Sequence, residues 1–247
     1  MKYLKKFNTE NDRSAYENGE SYIEPYVSYV DGGDVHYNKP PFFCRLTLSD
    51  DSVVEIEGSG ELTQAMTSGY STTCVGAEVG ELCTSIGNNA FNLFKELASI
   101  VISDSVTIID WEAFRLCTKL TDITMGNSIT YIGDFAFYYC SGLTSIIIPD
   151  SVTTVSRNAF YSCESLITMT IPSGVTSLGN NVFQNCNSLT SITSLATTAP
   201  TIDSYTFNGI SRNGTLYVPQ GSTGYDVWMY KSSGGYLGYY DWTLVEQ

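Results

Sequence analysis

Apolar side chains recur along most of this chain with a period far longer than that of a single helix or strand. Phe91, Phe114, Phe137, Phe160 and Phe183 are spaced 23 residues apart, as are Leu97, Leu120, Leu143, Leu166 and Leu189, and Cys117, Cys140, Cys163 and Cys186. Units beginning at Ile86, Ile109, Ile132, Val155 and Leu178 share the pattern I-x-x-x-A-F-x-x-C-x-x-L-x-x-I-x-I-x-x-x-V. Five units of eight marked positions make 40 residues, of which 38 are apolar; Ser194 and Thr198, in the last unit, are the exceptions. With 43% apolar residues overall, chance would fill about 17 of those positions, so the pattern specifies a repeat architecture. Cys74, Ala77, Val79 and Cys83 extend the register backwards, and Ile202, Phe207, Leu216 and Val218 extend it forwards after a one-residue insertion. The expectation is five clear coils with a degenerate coil at each end.

Within a unit the spacing predicts the elements. Leu120–Met125 (LTDITM) ends in period-two alternation, which makes a short strand with one buried face. Pro149 and Pro172 follow two such strands and stop them, because proline cannot donate to a ladder. Ser-Val-Thr or Ser-Ile-Thr then supplies a turn and a second short strand. The Ala-Phe-x-x-Cys segment suits a helical turn with Phe and Cys inward. No coil can bury its apolar face alone, so neighbours stack and the core runs along the stacking axis. At about 4.8 Å per strand, seven coils would build a slab roughly 30–35 Å long.

Segments such as Cys140–Val155 (CSGLTSIIIPDSVTTV) and Tyr131–Phe137 (YIGDFAF) resemble the BspA-like leucine-rich repeats, over about residues 74–219. The resemblance implies an α+β, mostly β solenoid. It is right-handed, has short strands and short helical turns, and is capped at both ends. It further implies adhesion or ligand binding at bacterial surfaces, as in many members, and no catalysis. Leu216–Pro219 (LYVP) and the aromatic tail to Trp242 resemble the C-terminal caps of such arrays.

The chain then divides into a leader, residues 1–42; a hairpin and cap with the degenerate first coil, 43–85; five repeats, 86–200; and the last coil with an aromatic cap, 201–247. In the leader, Thr9 can cap a short helix over Glu10–Glu17 that stops at Asn18-Gly19. Two extended segments, Pro25–Val30 and Val35–Asn38, flank a turn at Asp31-Gly-Gly-Asp34. Phe43–Leu48 and Val53–Glu57 predict a hairpin around Ser49–Ser52, and Trp242–Val245 predicts a final strand covering the last coil. Tyr3–Thr9 (YLKKFNT), Tyr16, Pro25–Ser28 (PYVS) and Val35–Asn38 (VHYN) resemble an N-terminal element of virion proteins from phages and prophages of gut Bacteroides-type bacteria. That resemblance implies that residues 1–42 anchor the chain to other virion proteins, within an oligomeric assembly.

Charge narrows the partners. Twelve Lys and Arg against 26 Asp and Glu give −14, and a pI near 4.3, which disfavours nucleic acid and anionic membrane surfaces. Residues 1–85 hold 14 acids and six bases, a net −8 of that total, so the coil body is closer to neutral. No apolar run approaches 18 residues, so membrane insertion is not expected. The start has no apolar stretch before Glu10, Asp12 and Arg13, so it does not read as a signal peptide. Seven cysteines, an odd number, read most simply as buried thiols formed in a reducing compartment. Both features favour a virion protein assembled in the host cytoplasm over a cell-surface or secreted adhesin, which remains the alternative.

Candidate chemistry is sparse, and neither catalysis nor a cofactor or metal is expected. The G-x-x-x-x-G-K, G-x-S-x-G, G-x-G-x-x-G and H-E-x-x-H patterns are absent from the sequence. Glu55 and Glu57 read as a solvated hairpin edge, Asp31-Gly-Gly-Asp34 as a turn with too few oxygens for calcium, and the lone His36 as a loop residue. The cysteine ladder could pair as disulfides or hold metal, since stacked Cα atoms stand about 5 Å apart, but side chains stacked in parallel point alike and suit packing better.

Two binding surfaces are expected. Ser99, Asp122, Ser145, Thr168 and Ser191, beside Val101, Thr124, Ile147, Thr170 and Thr193, form an outward strand face of small hydroxyls. A host-surface protein suits that face better than a glycan, which would find no ring to stack on. Tyr225, Trp228, Tyr230, Tyr236, Tyr239, Tyr240 and Trp242 form an aromatic tail that serves either as an interface or as the core of the cap.

Overall fold

The computed structural model describes residues 41–247 in full and, before them, the backbone of two strands. The chain forms two compact units, residues 1–41 and 42–247. In the first, β1 (Val27–Asp31) and β2 (Asp34–Asn38) pair antiparallel, with Val30 opposite Val35 and Asp31 opposite Asp34. His36 therefore lies in a strand and not in a loop, because the alternation of Val35–Asn38 extends through it. The helix expected over residues 10–17 lies outside the described residues.

The second unit is a solenoid. A hairpin of β3 (Cys44–Leu48) and β4 (Val53–Ile56) leads into the short β5 (Gly60–Leu62), then β6 (Cys74–Val79) and β7 (Cys83–Ile86). Each following coil adds an outer strand and usually a second short one: β8 (Ser99–Ile102) with β9 (Ile108–Ile109), β10 (Asp122–Thr124) with β11 (Tyr131–Ile132), and β12 (Ser145–Ile147) with β13 (Thr154–Val155). Then come β14 (Thr168–Ile171), β15 (Ser191–Ser194), β16 (Thr215–Val218) and β17 (Thr243–Glu246).

Strands of successive coils pair in parallel, 23 residues apart, for example Asp122 with Ser99 and Thr168 with Ser145. The insertion before the last coil changes that step to 24, Ser191 to Thr215, without disturbing the register. Both degenerate coils stack as expected, Ala77 against Ile100 and Leu216 against Ile192. The open edge of the first coil is closed by β3, which pairs antiparallel with β6, and the last coil is covered by β17.

The core is a column of rings. Phe91, Phe114, Phe137, Phe160, Phe183 and Phe207 stack with centroids 5.3, 5.1, 5.3, 5.9 and 6.0 Å apart and nearly parallel planes. Phe94 closes one end edge-on at 5.3 Å, and Trp228 closes the other, tilted by 53° at 5.2 Å. All of these side chains are fully buried.

The Ala-Phe-x-x-Cys segments are not helical. They are runs of turns in which two residues per coil, four apart, take left-handed backbone conformations: Asn89 and Leu93, Glu112 and Leu116, Phe135 and Tyr139, Asn158 and Ser162, Asn181 and Asn185. Their N–H groups point along the stacking axis and donate to the next coil, as Leu93 does to the Arg115 carbonyl at 2.8 Å and Tyr139 to Tyr161 at 2.9 Å. A helix would spend these donors within one coil; the turn ladder spends them between coils. Left-handed Leu costs about 1–2 kcal/mol, whereas Asn is tolerated there. Leu93, left-handed and 45% exposed, should therefore accept Leu93→Asn with a gain of about 0.5–1 kcal/mol and a melting rise of about 2–4 °C. A lower melting temperature would show that its side chain matters more than its backbone.

All seven cysteines are free and buried. The thiols of Cys117, Cys140, Cys163 and Cys186 each donate to a Phe carbonyl 26 residues earlier, at 3.1–3.2 Å. The ladder thus ties each coil to the one before it through S–H···O bonds.

Candidate functional site

The aromatic tail folds mainly into the cap. Tyr225, Trp228, Tyr240 and Trp242 are buried, and each polar handle is spent internally. The Tyr225 hydroxyl donates to Ser194 Oγ at 2.6 Å, which satisfies the buried polar side chain at one of the two non-apolar pattern positions. Trp228 Nε1 donates to the Pro200 carbonyl at 3.0 Å and Trp242 Nε1 to Ser211 at 2.8 Å, while the Tyr240 hydroxyl accepts from Gly209 N–H at 2.7 Å. Gly214 lies directly against the Trp242 ring, where a Cβ would come within 2.3 Å. The tail is consequently not one exposed surface; Tyr230 and Tyr239 are exposed and Tyr236 is half-buried, with Tyr230 paired to Tyr236 and Tyr239 to the buried Tyr240.

The strand face places its residues outward as the pleat requires. Ser99, Val101, Asp122, Thr124, Ser145, Ile147 and Thr168 are exposed, and Thr170, Ser191 and Thr193 half-exposed. The face is not one continuous sheet, however. It comprises two five-stranded sheets, β10-β8-β6-β3-β4 and β12-β14-β15-β16-β17, with no pairing between β10 and β12. Ile147, at the rim of that interruption, is 78% exposed.

A third surface combines rings and arginines on the turn side. Tyr138 and Tyr161 stack at 5.0 Å, Tyr139 leans on both at 4.8 and 6.0 Å, and Phe135 meets Tyr138 edge-on at 5.3 Å. The Arg115 guanidinium lies over Tyr138 at 5.7 Å and that of Arg157 over Phe135 at 5.2 Å. Arg157 also pairs with Asp134 at 3.2 Å, Arg115 with Glu112 at 3.8 Å, and Asn185 donates to the Tyr161 hydroxyl at 3.1 Å. All four rings are half-buried. Burial, then the neighbouring Tyr139 and Tyr161, push the Tyr138 hydroxyl above its ordinary range.

The apolar pattern does not reveal this cluster, because its tyrosines occupy x positions. The signal lies in the columns: Asn92, Arg115, Tyr138, Tyr161 and Gln184 are one period apart, so stacking alone superposes Arg115, Tyr138 and Tyr161.

Among the described residues no group of three or more His, Cys, Asp or Glu is arranged to hold a metal ion, and no helix is long and apolar enough to cross a membrane. A small pocket of about 290 Å³ beside the cap is lined by Ala199, Pro200, Ile202, Val227 and Trp228 and carries no titratable group.

Comparison with known proteins agrees with this geometry. A family profile described as the BspA type leucine rich repeat region matches residues 84–223 in six copies. A leucine-rich repeat protein from Bacteroides ovatus is 22% identical with a TM-score of 0.55, over 81% of this chain and 59% of that one, and shares the fold. The T. pallidum leucine rich repeat protein is 21% identical over 55% of this chain and 81% of that one, with a TM-score of 0.47. A leucine rich cell surface protein from Faecalibacterium prausnitzii is 18% identical over 81% of this chain and 70% of that one, with a TM-score of 0.43. No curated protein matches the chain. With the profile spanning more than half of the residues and the stacked coils in its register, the chain belongs to the BspA-type leucine-rich repeat family.

Proposed function

We propose that this protein is a non-enzymatic binding scaffold, carried on a virion through residues 1–42 and contacting a host-surface protein or glycan through its coil stack. The observation that supports a recognition role is the cluster of Phe135, Tyr138, Tyr139 and Tyr161 under Arg115 and Arg157. These half-exposed rings lie outside the buried ring column that fills the core. Tyrosine and arginine are also the residues that most often dominate binding energy at interfaces. The leader supports the virion reading by its sequence. Placement on a bacterial surface is the alternative, in keeping with the adhesive role of many proteins with this repeat.

The test uses the tagged chain expressed in its native genome. It should sediment with particles released on lysis, and deletion of residues 1–42 should release a stack that still melts cooperatively. Tyr138→Ser combined with Tyr161→Ser should abolish retention of particles on host cells while leaving the protein on the particle. Recovery in the cell envelope would select the surface alternative, and unchanged retention would remove the aromatic cluster from the site.

A further inference from the structure

The interruption of the strand face is confined to one seam. On the turn side the Phe114 and Phe137 rings are 5.1 Å apart, and β9, β11 and β13 pair without a break. On the strand side, among the described residues, no backbone hydrogen bond joins residues 121–127 to 144–150. Most Cα pairs between β10 and β12 lie more than 8 Å apart, whereas paired strands stand about 4.8 Å apart.

A Cβ on Gly126 would fall 2.2 Å from the Ser103 carbonyl oxygen, an approach that only glycine permits, and Asn127 N–H donates to Asp104 Oδ1 at 2.6 Å. Both tie the exit of β10 to the preceding coil. The interruption also shows in the core. Ile123 and Met125 are partly exposed, while their equivalents Ile100, Ile102, Met169 and Ile171 are 2% exposed or less.

The seam therefore offers two facing strand edges with unspent backbone donors and acceptors, an apolar floor, and a rim bearing Asp122 and Asp150. Both aspartates are exposed, and neither has an ion-pair partner among the described residues. One strand inserted midway needs about 9.6 Å between its neighbours, twice the usual spacing. We propose that the seam is the docking site for one extended segment of a partner polypeptide, which pairs with β10 and β12. An apolar side chain of that segment covers Ile123 and Met125, and a Lys or Arg meets Asp122 or Asp150. Main-chain pairing would supply affinity and the apolar floor selectivity, the division usual when a strand is added to a sheet. The proposal rests on the reading of the stack as a binding scaffold, but neither on virion placement nor on the tyrosine cluster.

An acetylated, amidated heptapeptide of alternating valine and lysine serves as the probe, with hydrogen exchange of the full chain as the readout. Saturating peptide should slow exchange at amides within 121–125 and 144–148, and a peptide with proline in place of two valines should not. Asp122→Lys, at an exposed position, should weaken the effect several-fold at low ionic strength and leave the melting curve unchanged. No slowing at the seam, or protection at the outer edges β4 and β17 instead, would overturn the proposal. Because the tyrosine cluster is untouched by these variants, failure here is distinguishable from failure of the binding role assigned to it.

Discussion

Phe137→Ala should destabilise the solenoid by about 3–5 kcal/mol, and the loss should spread to the coils on either side. The ring is fully buried and lies between Phe114 at 5.1 Å and Phe160 at 5.3 Å. Its removal leaves a ring-sized cavity and deletes two stacking contacts at once, each worth about 0.5–1.5 kcal/mol beyond simple burial. In a stack where each coil touches only its neighbours, stability is the sum of coil and interface terms, and this substitution weakens one coil and two interfaces together. Urea unfolding followed by both tryptophan fluorescence and far-UV circular dichroism should show one shared transition at lower midpoint. Tyr139→Ala, at a half-buried ring outside the column, is the control and should cost far less. Limited proteolysis that cuts out the Phe137 coil alone, with the others still protected, would show that the coils are not a cooperative unit.

The second large effect is alkaline. Burial, as the first cause in every case, raises the cysteine thiols: Cys74 and Cys83 to about 11, Cys186 to about 12, and Cys117, Cys140 and Cys163 well above the ordinary 9.0. Above pH 9 the unfolded chain releases these protons and the folded chain keeps them. The unfolded state then binds fewer protons, so stability is fully present below about pH 9 and is lost as pH climbs toward the folded values. Each fully buried thiol contributes a slope of about 1.4 kcal/mol per pH unit once its unfolded counterpart is ionised. Four such thiols together give about 5–6 kcal/mol per unit, enough to unfold an ordinary domain within two units. The urea midpoint should fall steeply from about pH 9, before tyrosine ionisation near 10 contributes. A Cys140→Ala, Cys163→Ala double variant starts lower, for lost packing, but should show a shallower slope. A flat midpoint between pH 8 and pH 10 would mean that the thiols are less enclosed than their burial indicates.

Much of this fold is readable from residue identity at fixed spacing. A one-residue slip would turn every strand inside out, and a coil that buries its apolar face needs a like neighbour on each side. The 23-residue recurrence therefore dictates the parallel register, the ring column and the inward cysteines, and it carries through the insertion to Phe207. Two features, however, lie outside the apolar pattern. The turn segments were legible as inward Phe and Cys but not as left-handed turns, since that geometry arises from N–H groups that find acceptors on the next coil. The tyrosine cluster sits at positions the pattern leaves variable, and becomes a surface only once Arg115, Tyr138 and Tyr161 are superposed by stacking.

The aromatic tail shows the reverse case. Its rings are equally suited by type to an interface or a core, and the choice fell to partners remote in sequence: Ser194, Pro200, Ser211 and Gly214 take up Tyr225, Trp228 and Trp242. What the sequence alone determines is everything that repetition enforces, because identical coils have one common way to bury identical faces. What only the tertiary structure decides is where the coils differ. Gly126 is compatible with the pattern, and the seam that divides the strand face into two sheets is visible only in the fold, where Gly126 lies against Ser103.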